Sequence, residues 1–293
     1  MTAMESPARM RLELSSRAEN VPLVRQSLSG LAEAIGLRRV ELNDVLTAVT
    51  EACNNVSLHA YGGREGPLAV ELLAGESGIV VSVRDSGVGL ALDADMASEL
   101  PTGVDHGLGG LGLPVIRALA AESDWSEPAG GGTEVRMRFA TQPLASQWTG
   151  PACDLGVPPA TEAARASDAI VAAMAPLAVA RAVLPRLMQA LAARLHFSIE
   201  RHEDIRRFMC ALLGEPANWA APAEVRARLL PGADSLRLAV GPLTAQAASR
   251  LSAQMGQLEP TLVPSVAPLG DAWHELHLSI DRFPVADIPR GAG

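Results

Sequence analysis

The sequence contains no lysine, because all 24 basic residues of this 293-residue chain are arginine. A chain without lysine cannot carry a P-loop, in which a lysine contacts the nucleotide phosphates, and it cannot form a lysine Schiff base. The 33 acidic residues outnumber the arginines and leave a net charge of −9. Because nucleic-acid binding requires a basic surface, we expect no nucleic-acid partner.

Cysteine and long hydrophobic runs are also scarce. The three cysteines, Cys53, Cys153 and Cys210, have the spacing of neither a metal site nor a disulfide framework, which fits a reducing compartment. The first ten residues lack the apolar core of a signal peptide. The longest uncharged apolar run, Ala169 to Ala180, spans 12 residues, whereas a membrane span needs about 20. We therefore expect a cytoplasmic protein without membrane contact.

The chain is about twice as long as a typical domain. Hydrophobic spacing in residues 1–140 predicts a strand, two helices, a β-hairpin, a further helix and a final strand. Residues 141–160 are rich in proline and glycine, which predicts a linker, and residues 161–293 return to helical and strand patterns. The predicted fold class is α/β, as an α+β two-layer sandwich with two domains.

The second predicted helix, from about Glu41 to His59, carries the first candidate site residues. Glu51 and Asn55 are four residues apart, so they lie on one flank of this helix beside its apolar stripe. A carboxylate can deprotonate an attacking hydroxyl or water, and an amide oxygen is a hard ligand that suits Mg²⁺. The same spacing is also typical of a solvated helix flank, so the pair alone does not decide the function.

The segment Asp85-Ser-Gly-Val-Gly89 directly follows an apolar strand. Gly87 and Gly89 allow a tight turn and a close approach of the backbone to a ligand. Asp85 can accept a hydrogen bond from an amine such as that of adenine. Thr133 precedes the last strand of this half, where its hydroxyl can contact Asp85 or a nucleotide. Taken alone, the Asp85 segment is a weak signal that is also typical of a polar loop after a strand, and the Thr133 segment is more typical of an ordinary turn.

A glycine-rich segment, Gly107-Leu-Gly-Gly-Leu-Gly112, precedes the third predicted helix. Successive backbone N–H groups at a helix N-terminus bind anions, and glycines allow the mobility of a lid. No apolar strand runs into these glycines, which excludes a Rossmann dinucleotide site. The candidate nucleotide-binding residues of this segment are Gly107, Gly109, Gly110 and Gly112.

Four elements follow one another along the chain: the Glu51–Asn55 helix, Asp85–Gly89, Gly107–Gly112 and Gly131-Gly-Thr133. In this order and spacing, they together resemble the N box and the three glycine boxes of the GHKL (histidine-kinase-like) ATPase superfamily. The helix segment Ala48-Val-Thr-Glu-Ala-Cys-Asn-Asn-Val-Ser-Leu-His-Ala-Tyr61 is most similar to that of the anti-sigma-factor serine kinases. The resemblance covers about residues 10–140 and implies a Bergerat fold that holds ATP between a helix and a lid. It implies that Glu51 is the general base, that Asn55 coordinates Mg²⁺ and that Asp85 binds adenine. It also implies that the pocket is shaped by Gly87, Gly89, Gly110 and Gly112.

The second half repeats the apolar pattern of the first half, at an offset of 160 residues in the helices and 157 in the strands. The positions that match Glu51, Asn55 and Asp85 hold Ala211, Glu215 and Pro242. We therefore expect residues 161–293 to be a smaller, degenerate copy of the first domain that does not bind nucleotide.

The resemblance implies a protein serine kinase that binds a sigma factor and phosphorylates a STAS-type antagonist, and that thereby regulates transcription. It also implies a dimer, formed either by two chains or by the two halves of one chain. The alternative is a regulatory module whose bound ATP changes partner affinity without phosphoryl transfer. A sensor histidine kinase is disfavoured, because we expect no phosphoacceptor hairpin upstream of the first strand.

Overall fold

The fold is built on an antiparallel sheet with helices packed against one of its faces. The computed structural model describes residues 7–75, 78–89, 112–141, 168–219, 224–258, 264–269 and 273–282. Within these ranges the sheet has ten strands, and there are six α-helices. No helix within them is both long and apolar enough to span a membrane.

Eight elements form the first half of the chain. They are β1 (Ala8–Ser15), α1 (Val21–Ile35), α2 (Arg39–Asn55), β2 (Pro67–Gly75), β3 (Gly78–Asp85), α3 (Gly112–Leu119), β4 (Glu122–Ser126) and β5 (Glu134–Phe139). The end of α1 is set by Gly36, which adopts a left-handed φ of 72°. The start of α2 is stabilised by the Glu41 side chain, which accepts a hydrogen bond from the backbone N–H of Arg38 at 3.0 Å. α2 then continues into a π-helical turn, Val56–Ala60.

The predicted mixed α/β class is confirmed for this half, and one strand was missed. The segment that forms β4 has a single large apolar residue, Trp125, so it lacks the apolar alternation that predicts a strand. β4 lies at the edge of the sheet and pairs only with β5 among the described strands. An edge strand does not need two buried faces, which explains its polar sequence.

The second half contains elements of the same types in the same order. They are β6 (Ile170–Ala175), α4 (Leu177–Arg194), α5 (Ile199–Leu213), β7 (Val225–Pro231), β8 (Ser235–Leu243), α6 (Ala245–Leu258), β9 (Ser265–Leu269) and β10 (Trp273–Asp281). Across the sheet the strand order is β4-β5-β3-β2-β1-β6-β7-β8-β10-β9. Read outward from the centre, the two halves of the sheet therefore have the same topology.

The two halves meet along β1 and β6, which pair antiparallel. Leu12 lies directly opposite Ala172, and these two residues are 160 positions apart, the same offset that relates the helices. α1 and α4 pack beside this strand pair at close range. A Cβ atom built on Gly30 of α1 would lie 2.6 Å from the carbonyl oxygen of Ala182 on α4, so the two helix backbones are in contact there.

A single hydrophobic core runs through both halves. Its sheet residues include Leu12, Val70 and Val83, which are at most 1% exposed and face the helices. Alternate residues of the same strands, such as Arg11 and Glu71, lie on the other face of the sheet, as the strand period of two requires. Asp85 ends β3 two residues after Val83, so its side chain lies on the helix-covered face.

Salt bridges also cross between the halves. Arg17 contacts Asp168 at 2.7 Å, Arg9 contacts Glu224, and Arg186 contacts Glu33. These side chains are partly exposed, and exposed ion pairs contribute about 0–1 kcal/mol each. Burial of the shared apolar core is therefore the main force that holds the halves together.

Candidate functional site

The end of α2 presents the predicted Glu51 and Asn55 beside a buried apolar stripe. Val45, Val49 and Ala52 on that stripe are each 1% exposed, whereas Glu51 and Asn55 are half-buried. Cys53 lies between them in sequence but is fully buried, and desolvation raises the pKa of its thiol to about 12. Because the thiolate is the reactive form of cysteine, Cys53 is a packing residue and not a nucleophile.

Asp85 is a buried carboxyl group held by two backbone donors. Its Oδ1 accepts hydrogen bonds from the N–H groups of Gly87 at 2.8 Å and Thr133 at 3.3 Å. The backbone N–H of Asp85 donates to the carbonyl of Thr133 at 2.9 Å, which continues the pairing of β3 with β5. Burial raises the pKa of Asp85, and the hydrogen bonds from Gly87 and Thr133 oppose that rise. A carboxylate offers about four lone pairs, so Asp85 retains capacity for another donor.

Two glycines bring three backbone segments into contact around Asp85. A Cβ atom on Gly87 would lie 2.0 Å from the carbonyl oxygen of Ala60, and a Cβ atom on Gly132 would lie 2.2 Å from that of Asp85. The N–H of Val88 donates to the same Ala60 carbonyl at 3.0 Å. The turn after β3 therefore packs directly against the end of α2 and the turn before β5. Gly89, at a φ of 81°, continues this turn.

The start of α3 lies against Asn55. A Cβ atom on Gly112 would be 3.0 Å from both the Oδ1 and the Nδ2 atoms of Asn55. Ile116, one turn further along α3, is fully buried and anchors the helix on the core. The residue that ends the glycine-rich segment is thus in contact with the predicted Mg²⁺ ligand.

Tyr61 also contributes to the candidate site, although no role was predicted for it from the sequence. Its hydroxyl donates to the carbonyl of Pro67 at 2.5 Å and accepts from the N–H of Ser86 at 2.9 Å. Tyr61 thereby connects the end of α2, the start of β2 and the turn after Asp85. It is the only tyrosine of the chain, and its place directly after the Asn55 helix was the one available signal.

Most of the predicted site residues lie on these converging segments. Thr133 and Gly87 meet at Asp85, and Gly112 meets Asn55, which is one helical turn from Glu51. Gly107, Gly109 and Gly110 lie outside the described residues. The roles assigned to all of these residues remain predictions.

Comparison with known proteins gives consistent results. The family described as a histidine kinase-like ATPase domain matches residues 14–139. The serine-protein kinase RsbW of Listeria monocytogenes is 35% identical over 117 residues, which cover 38% of this chain and 74% of the relative. RsbW of Bacillus pumilus is 31% identical over 121 residues, or 39% of this chain and 75% of the relative.

A further relative is the anti-sigma F factor of Caldanaerobacter subterraneus. It is 27% identical over 135 residues, which cover 46% of this chain and 94% of the relative. The family match falls on the half that carries Glu51, Asn55 and Asp85. By this identity and coverage, the chain belongs to the GHKL (histidine-kinase-like) ATPase superfamily, among the anti-sigma-factor serine kinases.

Proposed function

We propose that residues 1–140 bind ATP with Mg²⁺ and phosphorylate a serine of a STAS-type antagonist, and that the chain also binds a sigma factor. The observation that carries this proposal is the position of Glu51 and Asn55 on the flank of α2, with Asn55 against the first residue of α3. A solvated helix flank without chemistry does not require a glycine in contact with an asparagine amide.

The residues present suit this nucleotide. Asp85 is a buried acceptor for the exocyclic amine of adenine, and Gly87 and Gly132 bring the backbone close around it without side chains. The amide oxygen of Asn55 is the hard ligand that Mg²⁺ prefers. We propose that Gly107, Gly109, Gly110 and Gly112 contact the phosphates through backbone N–H groups.

In this proposal each polar residue of the candidate site has a defined role in phosphoryl transfer. When bound, ATP supplies the phosphoryl group and Mg²⁺ neutralises the charge of its phosphates. Glu51 accepts the proton of the attacking serine hydroxyl, which makes that oxygen the nucleophile. Asn55 would hold the Mg²⁺ ion, and Asp85 would fix the position of the adenine ring. The backbone N–H of Thr133 holds the Asp85 carboxylate in place.

The proposed partners follow from the relatives. Proteins named serine-protein kinase and anti-sigma F factor match this chain over most of their own length, which supports a sigma factor and its STAS-type antagonist as partners. Both kinds of partner act on transcription inside the cell, so the proposal entails a cytoplasmic location and a role in transcription regulation.

We further propose that residues 161–293 are a degenerate copy that replaces a second subunit and binds no nucleotide. The matching element order and the pairing of Leu12 with Ala172 support a pseudo-dimer within one chain. Residues 86–111 separate β3 from α3, whereas Thr244 alone separates β8 from α6. α6 buries Ala248, Leu251 and Met255 in the core, which leaves no segment there to serve as a lid.

Calorimetric titration of the whole chain with Mg²⁺-ATP tests both proposals. We expect one ATP per chain, and no binding after Asp85→Ala. Two ATP molecules per chain would contradict the degenerate second copy. The absence of any binding by the wild-type chain would contradict the kinase proposal.

The alternative function, a nucleotide-responsive binding module, is favoured by the combination of one complete set of site residues with a half that lacks them. Substitution Glu51→Gln separates the two functions. If the chain is a kinase, this variant binds ATP as the wild type does but transfers no phosphate to a STAS protein. If the chain is a binding module, neither the wild type nor the variant transfers phosphate.

A further inference from the structure

Three exposed arginines form a cluster on the open face of the sheet in the second half, which we call the arginine patch. It consists of Arg226 and Arg228 on β7 and Arg237 on β8. Residues two apart on a strand share a face, so Arg226 and Arg228 point the same way. Arg228 pairs with Ala239, which places Arg237 diagonally opposite Arg228 on that face. Diagonal neighbours lie about 7–8 Å apart.

The patch is specific to the second half of the sheet. Strand pairing outward from the central Leu12–Ala172 pair shows which first-half residues hold the corresponding positions. Ala69 of β2 corresponds to Arg226, and Glu71 of β2 corresponds to Arg228. By the same register, Val80 of β3 occupies the place of Arg237. Three positions that together carry one negative charge in the first half therefore carry three positive charges in the second.

Within the described part of the chain, acidic residues neutralise this patch less completely than they neutralise Arg11 and Arg84 of the first half. On the first-half face, Arg11 pairs with Glu13 at 2.8 Å and Arg84 pairs with Glu134 at 2.6 Å. Neither β7 nor β8 contains an acidic residue. Arg226 contacts Glu224 at 2.8 Å but its side chain remains 70% exposed.

Arg228 and Arg237 have no ion pair among the described residues, although Asp281 of β10 lies diagonally from Arg237. Like charges that share one face of a sheet repel one another. The described sheet therefore carries a local excess of positive charge that Glu224 offsets only in part.

Part of the surface around the arginine patch is apolar, whereas Ser279 and Asp281 of β10 lie beside Arg237. Ala239 is buried and Leu230 and Ala173 are half-buried on the same face, so the guanidinium groups border small aliphatic surfaces. Arginine next to apolar surface is typical of protein–protein interfaces, where its planar fork binds a carboxylate with two hydrogen bonds. Neither β7 nor β8 carries an aromatic side chain on which a nucleotide base could stack, which favours protein carboxylates over a nucleic acid.

We propose that the arginine patch is a docking surface for an acidic segment of a partner protein, whose Asp and Glu carboxylates bind Arg226, Arg228 and Arg237. The three side chains lie on a face of the sheet opposite to the helices, and so on the opposite side from Asp85 and Asn55. This inference rests on the second half alone and does not depend on phosphoryl transfer.

The test is a binding titration of the full chain with a fluorescent oligoglutamate peptide, and with a single-stranded oligonucleotide as the competing polyanion. The triple variant Arg226→Gln, Arg228→Gln, Arg237→Gln removes the charges and keeps hydrogen-bonding side chains. Arg136→Gln is the matched control, since Arg136 is an exposed arginine on the same sheet face of the first half. Urea unfolding of each variant verifies that it is folded, and the single variants replace the triple one if it is not.

We expect oligoglutamate to bind the wild type and the control equally, and the triple variant about tenfold more weakly, because three exposed charge pairs are lost. The difference should shrink at high salt, since salt screens exposed charges. Equal binding by wild type and triple variant, or no binding by either, would overturn the proposal. Tighter binding of the oligonucleotide, lost in the same variant, would overturn it in favour of a general polyanion surface.

Discussion

At the scale of single residues, Asp85 combines two opposing requirements. Its carboxylate is buried, which disfavours the charged form and raises its pKa, and yet two backbone N–H groups are aimed at one of its oxygens. If Asp85 served only the stability of the fold, an uncharged side chain at this position would make the fold more stable. The arrangement instead preserves an acceptor at a defined place, which is the property that recognition of an amine requires.

Substitution Asp85→Asn should separate stability from binding. The folded-state pKa of Asp85 is raised, so this group contributes stability while protonated and loses it as pH rises through the interval between the unfolded and folded pKa values. We therefore expect Asp85→Asn to unfold at higher urea concentration than the wild type at neutral pH, with a smaller difference at acidic pH. Its affinity for ATP should fall, because the amide NH₂ cannot accept from adenine.

Urea titrations at several pH values and an ATP titration check this prediction. Subtracting the free energy of unfolding of one protein from that of the other cancels the contributions of the other carboxyl groups, which both proteins share. An identical pH dependence of unfolding in both proteins would show that Asp85 does not carry the burial cost assigned to it.

Gly87→Ala should damage both the fold and the site. The new Cβ would lie 2.0 Å from the carbonyl oxygen of Ala60, so backbone must shift, at a cost of about 1–3 kcal/mol in the free energy of unfolding. The shift moves the N–H that holds Asp85, so ATP affinity should fall too. Gly75→Ala is the control, since nothing lies within 4 Å of a Cβ there. Equal stability of the two variants would contradict the tight contact.

At the scale of elements, the site is the meeting of one helix end with three turns. α2 ends in the turn that contacts Gly87, β3 ends at Asp85, β5 begins after Thr133, and α3 begins at Gly112. The turns after β3 and before β5 are held by backbone contacts and hydrogen bonds, and α3 contacts the Asn55 side chain through Gly112. Tyr61 is the side chain that ties α2 to two of the strands.

Tyr61→Phe should loosen this junction without changing its shape. The ring remains, but the N–H of Ser86 and the carbonyl of Pro67 lose their partner, which costs about 0.5–1.5 kcal/mol in the free energy of unfolding. We expect weaker ATP binding as well, because Ser86 directly follows Asp85. The control is Thr47→Val, which removes an exposed hydroxyl that bonds only to Asn43 within α2. An effect no larger than that of the control would contradict the linking role.

At the scale of the whole molecule, the two halves close each other's exposed edges. β1 has β2 on one side and β6 on the other, and the face of α1 that carries Gly30 is covered by α4. An open strand edge and an apolar helix face are the surfaces through which single domains of this kind could associate. In this chain the second half covers both surfaces, with β6 on the edge of β1 and α4 on the face of α1.

We therefore expect the chain to be a monomer in solution, with the mass of one 30.5 kDa chain. Sedimentation equilibrium over a range of concentrations measures this directly. A stable mass of two chains would mean that another surface joins copies, and would contradict the pseudo-dimer within one chain.

Gly30→Leu provides a second test: a large side chain at the α1–α4 contact should lower the free energy of unfolding by about 1–3 kcal/mol.

Local patterns were sufficient to predict most of the first half. The apolar stripe of α2, the alternation in β2 and β3, and the glycine that ends α1 follow from residue spacing and backbone preference alone. Glu51 and Asn55 were found by the helical period, and Asp85 by its place after an apolar strand. β4 was missed because an edge strand with one large apolar residue carries no periodic signal.

The sequence by itself determined the family and provided the candidate site residues, because helical spacing and glycine positions are local properties of the chain. Only the tertiary structure decided that Tyr61 bridges two strands, that Gly87 contacts Ala60, and that β1 pairs with β6 at Leu12 and Ala172. These contacts join residues that are distant in sequence. No local pattern specifies such contacts, since they depend on how whole elements pack and on which face of the sheet each side chain takes.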